Sequence, residues 1–403
     1  MEASKCPVNH DVLLTARREP DNVFCPALEL VATRDSGVLP EVSGFDPNYG
    51  EFTGLGITRY EEVRAALNHP ASRMGPDPSA VPGSLIAQPG FFMFSDGSDH
   101  NGYRRMIAPH FSVRRVARYT DRIESIVNKL LDEMESKGNA GDLIRDFASP
   151  LPTQVICEIL GVPYAERHEF GRWSEVALGR DTEPADAVAA ITNLRSYLFE
   201  LVSRQRAQPD DCLIGGLISD QGKELDDEVL VGIAMIVLLA GHSTTTGGIV
   251  FGTAALLDRP EQLAMVRGDE SESVMPGAVE EIIRYATLVQ PHYRTMTEDT
   301  QIGEHTLEAG DNIVVSLLAA NFDKALVGDN PDLDITRAPL PHVGFGYGPH
   351  QCPGQHLGRL QIKIAIPALL KRFPNLKFLR PLEELPRRDN DSVRSVVEVP
   401  VTW

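Results

Sequence analysis

The sequence predicts a mainly α-helical chain with small β-sheets attached, and two observations carry that prediction. Apolar residues recur at helical spacing through most of residues 99–286. Strand-like stretches are confined to residues near 299–316 and to the C-terminal "VRSVVEVPVTW". No internal repeat of fixed period is present. The 403 residues hold no linker rich in Pro, Gly or Ser, so a single domain over residues 1–403 is expected.

The elements follow in chain order. "GITRYEEVRAALNHP" (56–70) reads as the end of a strand and then a helix, with Val63, Ala66 and Leu67 on one face. Residues 72–95 are rich in Pro and Gly and carry "PGFFMF", which predicts an exposed loop whose aromatic cluster forms a pocket wall. Helices are predicted over 116–137, 150–160, 165–178, 185–207, 226–257 and 278–286. The apolar run "VLVGIAMIVLLA" (229–240) is too short to cross a bilayer by itself and suits a buried helix. The polar opening "MEASKCPVNHDVLLTARREP" has no secretory core, which predicts a cytosolic chain.

Charge and cysteine usage narrow the chemistry. A formal charge of −19 opposes general nucleic-acid binding, because a protein of that sign repels phosphates. A local basic face remains available from Arg104, Arg105, Arg114, Arg115 and Arg118, with Arg359 and Lys363 downstream. It is read either as a solvated helix surface or as a dock for an acidic partner. The five cysteines are odd in number and scattered, forming neither a disulfide framework nor a CxxC zinc pattern.

One cysteine stands apart. In "FGYGPHQCPGQHLGR" (345–359), Cys352 sits where a Gly-rich loop turns into a helix. A thiolate there is favoured by free backbone N–H groups and the helix dipole, so Cys352 is a candidate metal ligand, nucleophile or buried thiol. Gly346 and Gly348 can let the backbone close around whatever the sulfur binds.

The spacing Phe345-x-x-Gly348-x-x-x-Cys352-x-Gly354 resembles the haem-binding loop of the cytochrome P450 superfamily, in which the cysteine thiolate is the proximal iron ligand. The resemblance spans nearly the whole chain and implies the P450 fold with haem b, and Phe345, Gly346, His350 and Gly354 beside the ligand. "EIIR" resembles the family's Glu-x-x-Arg brace at Glu281 and Arg284; Glu61 and Arg64 match that pattern too, and position relative to the cysteine loop decides between them. His100, Arg104, Arg294 and His350 resemble the cations that pair with haem propionates. Where a second bracing Arg is usual, "PDLDITR" places Asp332, leaving Arg337 as the candidate replacement.

"AGHSTTTGG" (240–248) resembles the oxygen-activation segment, which implies that Gly241 makes room for dioxygen and Thr244 hydrogen-bonds it. Ser243 stands where an acid is usual, and a hydroxyl cannot replace a carboxylate as a proton source at neutral pH. Family members that couple aromatic rings of cyclic dipeptides, and fungal nitric oxide reductases, depart at the same place. "FSVRRV", "ICEILGVPY" and "HQCPGQHLGR" look most like actinobacterial enzymes of secondary metabolism, and "ANFD", "LGR" and the "PVTW" end resemble cyclodipeptide-oxidising members.

The resemblance therefore implies an oxidoreductase that uses dioxygen and ferredoxin electrons on a small natural-product intermediate, with the basic face as the ferredoxin dock. It leans towards oxidative coupling, with C–H hydroxylation and an NAD(P)H-fed nitric oxide reductase as alternatives. Family geometry points Phe91, Phe92, Met93, Phe94, Val237, Ala240, Leu288, Val289, Gln290 and His292 towards the substrate pocket. Pro353 has no N–H to give the sulfur, which predicts a lower reduction potential than with Leu there. Pro367 falls inside the following helix and predicts a kink.

Overall fold

The apolar run becomes the axis of the molecule: residues Asp227–Leu257 form one helix of 31 residues. It starts where the Asp226 carboxylate accepts the Glu228 N–H at 3.0 Å. At that length it is long and apolar enough to cross a membrane, which extends the reading based on 229–240 alone. Most of it is instead buried against Pro150–Leu160, Pro184–Ala207, Met275–Ala286 and Gln355–Arg372. Fully buried side chains such as Ile249 and Phe251 each contribute about 2 kcal/mol. This computed structural model describes residues 16–46, 50–75, 88–178, 182–271, 273–289, 292–388 and 393–403.

Around this axis the predicted helices form with ends shifted by a few residues. Thr120–Ser136, Arg167–Leu178 and Met275–Ala286 begin later or earlier than their apolar patterns suggest, because short turns or a Pro near the start set the boundary. Pro367 lies inside the continuous helix Gln355–Arg372.

A five-stranded sheet lies to one side, in the order Glu41–Asp46, Gly50–Ile57, Asn312–Val315, His292–Met296 and Ser72–Met74. Asn312–Val315 runs parallel to Gly50–Ile57 and antiparallel to His292–Met296, with Ile313 opposite both Leu55 and Arg294. Three of these strands escape the sequence pattern, because short strands leave too few residues for alternation to show. The register carries Arg294 into the interior.

The loop expected to be exposed is partly core. Phe91 and Phe92 are both 5% exposed, and the Phe91 and Phe94 rings stack with centroids 6.0 Å apart.

Candidate active site

The cysteine loop is held by its own backbone. Cys352 N–H donates to Phe345 O at 2.9 Å, Gly346 N–H to Val343 O at 2.8 Å and Gln351 N–H to Gly348 O at 3.0 Å. Gly348 has φ +72°, and a Cβ there would lie 2.8 Å from Leu67 O. That glycine therefore lets the loop press on the end of helix Tyr60–Asn68, rather than closing around the sulfur as expected. The glycine beside the sulfur is Gly354, whose Cβ would sit 4.0 Å from Sγ and whose N–H hydrogen-bonds it. The helix starts at Gln355, so Cys352 and Pro353 precede it instead of opening its first turn. Burial pushes the Cys352 thiol up, while the Gly354 N–H and the Arg104 and Arg359 charges work towards the thiolate.

Beside the cysteine, histidines and arginines converge. His100 is 2% exposed, and its ring stacks on His350 with centroids 4.0 Å apart. Burial, and then the charges of His350 and Arg104, hold His100 down to about 4. His350 Nε2–H donates to Asp96 Oδ1 at 2.8 Å, and Asp96 Oδ2 accepts the Met74 N–H at 2.8 Å. Burial raises the Asp96 carboxyl, but these hydrogen bonds win and keep it below its ordinary value. Arg294, 2% exposed, donates to Tyr293 O at 2.9 Å and touches the Met74 sulfur. Arg104 is half-buried and acts on the Cys352 sulfur.

His292, expected in the substrate pocket, lies beside Arg294 and His350. Burial and the charges of Arg294 and His350 hold it down to about 3, and its Nε2 is buried without a hydrogen-bond partner. An orphaned buried nitrogen among cations fits a bound anion such as a carboxylate. Among the described residues no group of three or more His, Cys, Asp or Glu side chains could hold a metal ion. Among the described residues Cys352 thus belongs to no such ligand group, which suits a metal that brings its own macrocycle with acidic side arms.

The brace is complete. Arg284, fully buried, donates to Glu281 through Nε at 2.8 Å and Nη2 at 2.7 Å, and to the carbonyls of Asn321 and Pro331, both at 2.9 Å. Arg337 Nε donates to Glu281 Oε1 at 3.3 Å, while Asp332 is taken by Arg259 at 2.6 Å. Next to it, Glu280 accepts from Arg359 at 2.6 and 2.9 Å, tying the brace helix to the cysteine-loop helix.

On the central helix, one turn before Thr244, Ala240 is exposed and Val237 half-buried. Thr244 Oγ1 donates back to Ala240 O at 2.7 Å. Gly241 turns elsewhere than expected: a Cβ there would meet Ile156 Cδ1 at 3.0 Å, so this glycine serves packing against Pro150–Leu160. Ser243 is half-buried on the same stretch. His242, which sequence reasoning passed over, has Nε2 3.1 Å from Ser149 Oγ, and burial holds it down to about 4.

Of the pocket candidates, Met93, Phe94, Leu288 and Val289 are half-buried, Phe91 and Phe92 pack into the core, and Gln290 lies outside the described residues. The basic face shrinks. Arg115 and Arg118 both pair with Asp211, Arg359 pairs with Glu280 and Arg104 turns inward. Lys363 is half-buried, and Arg105 and Arg114 stay exposed.

Comparison with known proteins agrees with this geometry. The family described as Cytochrome P450 matches residues 193–397. Vitamin D3 dihydroxylase of Streptomyces griseolus is 36% identical over 86% of this chain and 87% of its own. A 20-oxo-5-O-mycaminosyltylactone 23-monooxygenase of Streptomyces fradiae is 35% identical over 86% of this chain and 83% of its own. The crystal structure of cytochrome P450 MoxA from Nonomuraea recticatena superposes with a TM-score of 0.87 at 33% identity, covering 96% of this chain and 98% of that one. The fold is that of these enzymes, the cofactor is haem, and this chain belongs to the cytochrome P450 family as a monooxygenase.

Proposed function

We propose that the chain hydroxylates an apolar natural-product intermediate in the cytoplasm, drawing electrons from a separate ferredoxin. The observation that carries the site assignment is the gathering of His100, Arg104, Arg294 and His350 beside Cys352, with His292 Nε2 buried and unpartnered. Cys352 Sγ would ligate the haem iron, and these side chains would hold its propionates. Haem bound through a thiolate supplies the reductive activation of dioxygen.

The protein's own part is to hold substrate and manage protons. Met93, Phe94, Val237, Ala240 and Leu288 offer apolar or aromatic contact and would orient a substrate by shape. Thr244 Oγ1 spends its proton on Ala240 O, so its lone pairs can accept a hydrogen bond from the open side. Ser243 Oγ can pass a proton but cannot supply one. His242 is buried and neutral near pH 7, so it does not replace the missing acid.

Hydroxylation is favoured because the relatives named above are a dihydroxylase and a monooxygenase. Coupling of an aromatic or cyclodipeptide-like substrate is the second reading, kept because Ser243 stands in the acid's place. Product mass separates them: a gain of one oxygen supports hydroxylation, and a loss of two hydrogens supports coupling. A reduced carbon monoxide complex without a red-shifted Soret band would refute the haem-thiolate site itself.

A further inference from the structure

The central helix contains five glycines, and they do different things. Gly247, Gly248 and Gly252 face the side chains of Leu288, Ile362, Ile366 and Ile282, and the one backbone atom near them, Arg394 O, would lie 3.4 Å from a Cβ at 247, an ordinary contact. Those branched ends can shift a few tenths of an ångström. Gly241 likewise faces the end of Ile156. Gly232 is different, because a Cβ there would lie 1.9 Å from the backbone oxygen of Pro89.

The opposing segment answers in kind. Gly90 has φ +79°, and a Cβ on it would lie 2.2 Å from Val229 O of the central helix. Two glycines thus bring the backbone of the aromatic loop directly onto the backbone of the central helix. The Gly90 N–H also donates to Tyr103 OH at 3.4 Å, tying the same point to helix Gly97–Ile107. A helix-interior glycine is destabilising relative to alanine. At Gly232 that cost secures a contact no other residue permits.

We propose that the Gly90–Gly232 contact is a specificity-determining pin: it sets how far the Phe91–Phe94 wall stands from the central helix, and so the width of the substrate pocket. The chain continues from Gly90 straight into the short turn Phe92–Phe94, which packs on the central helix. Gly232 lies eight residues before Ala240, about 12 Å along the axis. The pin therefore acts from outside the pocket and touches no substrate. A methyl group at 232 must push Pro89 away by about 1 Å or more, since backbone cannot rotate aside as a side-chain end can. Met93 and Phe94 would move with it. The inference rests on reading Met93 and Phe94 as pocket wall.

The test uses haem-loaded protein and two azole probes read by the Soret shift, imidazole and 4-phenylimidazole. In Gly232→Ala, the dissociation constant for 4-phenylimidazole is expected to rise about fivefold or more, the loss of a few wall contacts, while imidazole stays within about twofold. A ratio of the two constants unchanged from wild type overturns the pin. A wild type that shows no azole shift at all overturns the haem-thiolate reading, and the pin's role with it. If the variant does not load haem, hydrogen exchange in the wild type decides. The Phe91, Phe94 and Ser95 amides, bonded to Gln88, Phe91 and Phe92 carbonyls, should exchange as slowly as those of the central helix. Exchange as fast as in an open loop overturns the proposal.

Discussion

The brace at Arg284 and the cluster at Arg294 are both buried guanidinium sites, yet they are satisfied in opposite ways. Arg284 spends its donors on Glu281 and on the carbonyls of Asn321, Pro331 and Asp332. Around Arg294 stand Arg104 and the imidazoles of His100 and His350, and Asp96 is the carboxylate among the described residues that hydrogen-bonds there. A buried charge is costly unless paired. The first site is organised around its own carboxylate, Glu281, whereas at the second Asp96 sits among Arg294, His100 and His350, and the nearby His292 Nε2 has no hydrogen-bond partner. The contrast sets a self-paired charge cluster beside one that holds an unpartnered buried nitrogen.

The sharpest break of the contrast is Arg284→Ala. Removing one partner of a buried pair should cost about 3–5 kcal/mol, read as a large fall in the melting temperature of the haem-free protein. Arg104→Leu should do the reverse. Haem-free stability stays within about 1 kcal/mol, while loss of haem to apomyoglobin quickens roughly tenfold or more, the worth of one charge-assisted hydrogen bond. Equal losses of stability in both variants would erase the distinction.

Glu280 offers a third, pH-dependent probe between the two sites. Burial raises its carboxyl, but hydrogen bonds from His342 and Arg359 prevail and hold it at about 2. Its folded value lies below the unfolded one, so its stabilisation is present above about pH 4.5 and lost as the pH falls towards 2. Glu280→Gln should lower stability at pH 7 by about 2 kcal/mol and remove that acid-limb slope in urea titrations. The smallest effect is expected at Pro353. Pro353→Leu adds an N–H beside the sulfur and should raise the haem reduction potential by about 40 mV, the equivalent of about 1 kcal/mol of hydrogen bonding. An unchanged potential in spectroelectrochemical titration would leave the Gly354 N–H as the only amide that matters.

The cysteine loop and the brace were legible in the sequence because each depends on short-range spacing, 345 to 354 and 281 to 284. Long helices were legible for the same reason. Partner choice across the chain was not. Arg359 and Arg115 read as free surface cations, and only the folded chain brings Glu280 and Asp211 to them. His292 and Arg294 share a strand face by their spacing, but only the folded chain brings His350 to them. Asp96 was visible in "SDGSDH" as one acid among several, and its hydrogen bond to His350 spans 254 positions. Gly232 looked like a tolerated helix glycine until Pro89 O appeared opposite it.

The rewired segment around Asp332 also limits how this enzyme can be recombined. Arg259 is held by the Asp332 carboxylate, and Arg337 reaches Glu281 from five residues further along. A chimera that imported residues 330–336 from a relative with an arginine in the place of Asp332 would set that guanidinium against Arg259 while crowding Arg337 at Glu281. Crossover points for shuffling this chain with its relatives therefore belong outside the stretch from Arg259 to Arg337, so that the three arginines and two acids travel together.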